Sequence, residues 1–196
     1  MNNNSYTFPG IAAICLAFLF PLSWLLIAGE GGVNIETMQF DLQFGLTNFL
    51  FLIVGVVSFF VYFSLMKLLH EYHNFKKADF ALMALLVVIA VYYLGSFLLA
   101  LLSFTMEPET SSALIGWLFM ASLVVFGIID IVLGITLIIG HNVISKRLLI
   151  FAIMNLLMGF CELSVILSPL VLILFPVIAL IVAFTFLGKP EEIEVV

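Results

Sequence analysis

The chain has 196 residues, of which 65% are hydrophobic and only 9% charged, with a net charge of −6 and a mean hydropathy of +1.34. A water-soluble domain carries about 25% charged residues, so this composition excludes a protein whose surface faces water throughout and makes the lipid bilayer the main solvent. The acidic balance argues against nucleic acid, which selects a basic face.

The first apolar run covers residues 9–28. The segment before it, MNNNSYTFPG, has no positive charge, so the run is expected to be a retained helix rather than a cleaved signal. A crossing needs about 20 mostly apolar residues, and further runs follow at 45–69, 80–104 and 113–139. The stretch 148–187 is too long for one crossing. It is expected to divide at Ser168–Pro169, with Ser168 as N-cap and Pro169 in the first turn, giving helices at 148–167 and 169–187. Asp79, Ser111 or Ser112, and Ser145 are candidate caps for helices three, four and five, and Pro21 and Pro176 fall inside helices one and six. The expected fold is all-α: a polytopic integral membrane protein, a six-transmembrane-helix bundle of three helical hairpins in a single domain, 1–196.

Orientation follows from the basic residues. Lys67, Lys76 and Lys77, then Lys146 and Arg147, then Lys189 all fall on one side, which the positive-inside rule makes cytoplasmic. Both termini are therefore expected in the cytoplasm, with the protein in the inner or plasma membrane. The longest opposite loop alternates Met38, Phe40, Leu42 and Phe44 with Gln39, Asp41 and Gln43. It reads either as a strip resting at the lipid interface or as a docking edge. Cys15 and Cys161 lie inside apolar runs and read as small buried hydrophobes, not as a disulfide pair.

Within the runs, Asp130 and Glu162 stand out, because a charge near the bilayer centre costs about 2.5–3.5 kcal/mol on insertion scales. The turn between helices four and five centres near Asn142–Val143, which puts Asp130 and Asn155 at similar depth and predicts a hydrogen bond between them. Glu162 returns to the face of Asn155 seven residues on, with Gly159 between. Gly127, Asp130 and Gly134 form the matching stripe on helix four, and Ser122 lies near the depth of Glu162. At 1.5 Å per residue the two acids differ in depth by about 10 Å, which predicts successive stations rather than one shared site. The stripe reads as a polar pathway for protons or a cation, or as hydrogen-bonded acids that hold helices together.

His70, His73, His141 and Glu71 lie near one end and form a candidate metal group, the other reading being interfacial side chains among lysines. The spacing HExH is not that of a zinc protease. Ser96 and Ala100, with Gly127, Gly134 and Gly159, are expected to allow close helix packing, within the chain or in a homo-oligomer. No GxSxG, Walker A, GxGxxG or CxxC pattern occurs, so an enzyme is not expected and no cofactor is called for. The leading expectation is a non-enzymatic scaffold or accessory subunit of a larger membrane complex. A small channel or proton-coupled transporter using the intramembrane carboxyls is the second. A metal- or haem-binding redox subunit using the histidines is the third.

Overall fold

A computed structural model describes residues 6–29, 44–164 and 166–188; Lys189 and the alternating strip up to Gln43 lie outside these. It is all-helical: α1 (Thr7–Gly29), α2 (Leu46–His73), α3 (Asp79–Leu102), α4 (Pro108–Ile139), α5 (Lys146–Leu163) and α6 (Val171–Leu187). Five of the six are long and apolar enough to cross a membrane. The exception is α5, whose 18 residues include Lys146, Arg147 and Glu162.

Each helix packs on its neighbours in the chain, and α1 closes the ring against α6. The surface is inverted relative to a soluble protein. Phe18 and Leu25 are each 69% exposed and Trp117 is 75% exposed, whereas Asp130, Asn155 and Ser58 are at most 1% exposed. Apolar side chains facing outward and polar ones facing inward are what a lipid solvent selects. Cys15 belongs to the outer face, so its expected burial is corrected; Cys161 is buried, and both are free thiols.

Several boundaries differ from the expected ones for local reasons. α4 begins at Pro108 with Glu107 as N-cap, ahead of Ser111 and Ser112, because proline suits the first helical turn. At 32 residues it is about 48 Å long, well over a hydrocarbon core of about 30 Å. α3 is capped by Ala78, with Asp79 its first residue. α2 runs on to His73 and ends on Asn74 in the left-handed region, φ 46°, a conformation asparagine tolerates. Ser145 does cap α5, its Oγ accepting the Leu148 N–H at 3.4 Å.

The division between α5 and α6 is the largest revision. α5 ends at Leu163, with extended Ser164 as C-cap. Ser168–Leu170 form one 3₁₀ turn before α6 starts at Val171. Proline clashes with the carbonyl four residues earlier and restricts the residue before it. The interruption therefore spreads upstream of Pro169 instead of falling at Ser168.

Contacts identify one end of the bundle. Tyr6, just ahead of α1, stacks on Phe186 at the end of α6 with ring centroids 5.7 Å apart. Its hydroxyl donates to Glu71 Oε2 at 2.7 Å, near the end of α2. Arg147 Nη1 donates to Phe184 O at 3.1 Å, a carbonyl in the last turn of α6 that also accepts from Gly188 N–H and draws a cation there. Phe75 packs against Gly140. The two ends of the described chain thus lie beside the 74–78 and 140–145 connections, at the end that carries Lys67, Lys76, Lys77, Lys146 and Arg147.

Candidate functional site: a carboxyl pair in a cavity shared by all six helices

Helices α4 and α5 make the closest contact in the bundle, and glycine is the reason. A Cβ on Gly159 would lie 2.7 Å from Gly127 O, and one on Gly127 would lie 2.9 Å from Gly159 O; Gly134 meets Ala152 O at 2.8 Å in the same way. Gly127 and Gly134 are seven residues apart, as are Ala152 and Gly159, the repeat of a left-handed helix pair. Small residues at that spacing let the two backbones touch.

The seam places the polar residues. Asn155 Nδ2 donates to Asp130 Oδ1 at 3.0 Å and to Asp130 O at 3.3 Å, the bond expected from the position of the turn. Glu162 is closer to Asp130 than the helical rise implies. The two carboxyls lie within hydrogen-bonding and electrostatic reach of each other and line the same cavity, so they form one site and not successive stations. The correction has a physical basis. Helical side chains tilt toward their own N-terminus, and α4 and α5 run in opposite directions, so Asp130 and Glu162 lean toward each other. A hydrogen bond between two carboxyls requires a proton on one of them.

These acids line a cavity of about 80 Å³ with walls from every helix: Phe20 and Trp24 of α1, Ser58 and Tyr62 of α2, Ile89, Tyr92 and Tyr93 of α3, Ser122 and Phe126 of α4, Met158 of α5, and Phe175 of α6 among them. Tyr62 lies within electrostatic reach of both carboxyls. Ser58 and Ser122 give their protons to Val54 O and Phe119 O, each at 2.7 Å. Tyr93 and Tyr92 lie within hydrogen-bonding reach of these two serines. Among the described residues, Glu162 Oε2, Asn155 Oδ1 and Trp24 Nε1 are buried with no hydrogen-bond partner. No Lys, Arg or His lines the cavity.

A second cavity, of about 40 Å³, adjoins the first through the shared residues Trp24, Tyr92 and Phe119 and extends toward Asn48 and Ile115. Ser96 lines this second space; Ala100, the other half of that small-residue pair, is fully buried. On the opposite side of Asp130, toward the basic end, Leu65, Leu69, Leu133, Leu137, Leu148 and Phe151 are all fully buried.

The histidine group is not assembled as a metal site. His70 Nε2 pairs with Asp79 Oδ1 at 2.5 Å, Glu71 accepts from Tyr6, His73 Nδ1 bonds Val143 O at 3.0 Å, and His141 Nδ1 bonds Ile138 O at 3.1 Å. Among the described residues no three His, Cys, Asp or Glu side chains come together as metal ligands. Each of the four instead ties down a nearby helix end or loop.

The tyrosines and Trp24 are absent from the residues the sequence singles out, because each sits in an otherwise apolar run. The available signal is hydroxyl spacing: Ser58 and Tyr62 are one turn apart, as are Tyr92 and Ser96. No family model, no curated protein and no solved structure matches the chain.

Proposed function

We propose that this chain is a small proton-coupled membrane transporter in which Asp130 and Glu162 form the proton-binding site. The observation that carries the reading is the meeting of two intramembrane acids in a cavity walled by six helices and lacking any basic side chain. An ionisable group inside a membrane is costly and by default marks an ion or proton path. Glu162 Oε2 is buried in that cavity with no donor among the described residues, which leaves it an acceptor for a proton. Cavities on one side of the pair and close apolar packing on the other are what one half of an alternating-access cycle requires.

In this reading all six helices cross the cell membrane, α5 included, since Lys146 and Arg147 sit at its end and Glu162 faces the interior. The basic residues at the end shared by Tyr6 and Phe186 make that end cytoplasmic, with both termini there. The protein acts without catalysis.

The test is proton flux in liposomes reconstituted with the full chain, driven by a potassium diffusion potential and followed with a trapped pH dye. A flux above protein-free liposomes that Glu162→Gln and Asp130→Asn remove is the expected result. A wild-type flux equal to the protein-free level, or one untouched by both variants, sinks the proposal and returns the chain to the scaffold or accessory-subunit reading.

A further inference from the structure

The central cavity holds two acids and no base. With one proton between Asp130 and Glu162 the pair carries a single negative charge, and no Lys, Arg or His among the lining residues neutralises it. Glu162 is 7% exposed, and its Oε2 has no partner among the described residues. A donor brought by a ligand is the missing complement. The walls fit a cation: Trp24, Tyr62, Tyr93 and Phe126 line the space, and aromatic rings attract ammonium groups, more strongly when water is excluded. The hydroxyls of Ser58 and Ser122 give their protons to backbone carbonyls, so they have none left to donate to the carboxyl pair. A space of about 80 Å³ is more than one water needs, which is room for ammonium or a methylated amine.

We propose that the cavity binds a small monovalent cation of the ammonium class, its N–H donating to Glu162 Oε2, in competition with a proton on the carboxyl pair. The inference rests on the proposed proton site and adds the class of substrate to it. Exchange follows from charge: either a second proton or one ammonium-class cation makes the site neutral. The titratable groups that face the pair are Tyr62 of α2, Tyr92 and Tyr93 of α3, and Cys161 of α5; α1 and α6 contribute only uncharged side chains such as Trp24 and Phe175.

The chain has two tryptophans, one in the cavity and one, Trp117, on the surface, so Trp117→Phe leaves Trp24 as the sole fluorescent reporter. Methylammonium chloride is titrated into this full-length variant in detergent at constant ionic strength, with sodium chloride and methanol as the metal-cation and neutral controls. The expected result is a saturable change with methylammonium alone. It is lost on adding Glu162→Gln, and its midpoint rises on acidification by up to about tenfold per pH unit for one-for-one exchange. Phe126→Leu, which keeps both acids, weakens the binding and serves if Glu162→Gln does not fold. Equal responses to methylammonium and methanol, a midpoint independent of pH, or unaltered binding in the Glu162 and Phe126 variants overturns the proposal. Glu162-dependent proton flux without methylammonium binding removes the substrate class and leaves the proton site standing; loss of both removes both.

Discussion

Two polar regions of this bundle follow opposite rules. At the basic end each singled-out side chain has its own partner: His70 with Asp79, Glu71 with Tyr6, and His73 and His141 with the carbonyls of Val143 and Ile138. Water is near, so these contacts cost little to form and little to lose, and they tie helix ends together. In the centre the acids are gathered rather than separated, and Glu162 Oε2 is left unmet. An unmet polar atom is expensive where no water competes. Persistent capacity to bind at a place where it is costly separates a site from a fastening.

The sharpest way to break the comparison is to part the helices that gather the acids. Gly159→Val sets new atoms against the backbone of Gly127, which cannot rotate away, and is expected to cost about 1–3 kcal/mol of stability and to abolish flux. Gly95→Ala, whose nearest neighbour would be Leu118 at 3.5 Å, is the matched control with an unchanged melting temperature in detergent. Asn155→Leu removes the donor that holds Asp130. Polar contacts inside membranes average about 0.6 kcal/mol, so the expected stability loss is about 1 kcal/mol, with a larger relative fall in flux. If Asn155→Leu leaves flux unchanged, the position of Asp130 is irrelevant to function.

At the basic end the expected effects are smaller. Asp79→Asn alters a partly exposed contact with His70, worth at most about 1 kcal/mol, and leaves flux at the wild-type level. Flux lost to the same degree as in Glu162→Gln erases the distinction between the regions. The smallest effect belongs to Tyr6. Burial, and then its bond to Glu71, hold its phenol above the ordinary value of 10.0. The folded state therefore keeps this proton after the unfolded chain has lost it. The contribution is complete below pH 10 and declines as pH rises above it. Thermal melts of Tyr6→Phe are expected to show a lower stability than the wild type at pH 7, where the bond to Glu71 is intact, and a gap that narrows as pH rises above 10.

Much of this was legible in the sequence. Apolar runs locate the helices, and the turn at Asn142–Val143 fixes which residues of α4 and α5 share a depth, hence the Asp130–Asn155 bond. The glycine seam is visible because close approach needs small residues at a repeating interval. The approach of Glu162 to Asp130 was hidden because counting rise per residue locates backbones, while the lean of each side chain decides the contact. The histidines look like a group because their loops are neighbours, yet each ring takes the nearest available partner. Tyr62, Tyr92 and Tyr93 were invisible because an aromatic residue in an apolar run has no distinguishing pattern until its hydroxyl is seen to face inward.

The central claim is that Asp130 and Glu162 share a proton within the membrane, and infrared difference spectroscopy of the purified protein reads that proton directly. Titration of the wild type should show a protonated-carboxyl band that disappears in Glu162→Gln, shifts in Asn155→Leu and is unchanged in Asp79→Asn. A wild type with no such band at neutral pH, or a band that survives in both Glu162→Gln and Asp130→Asn, contradicts the account.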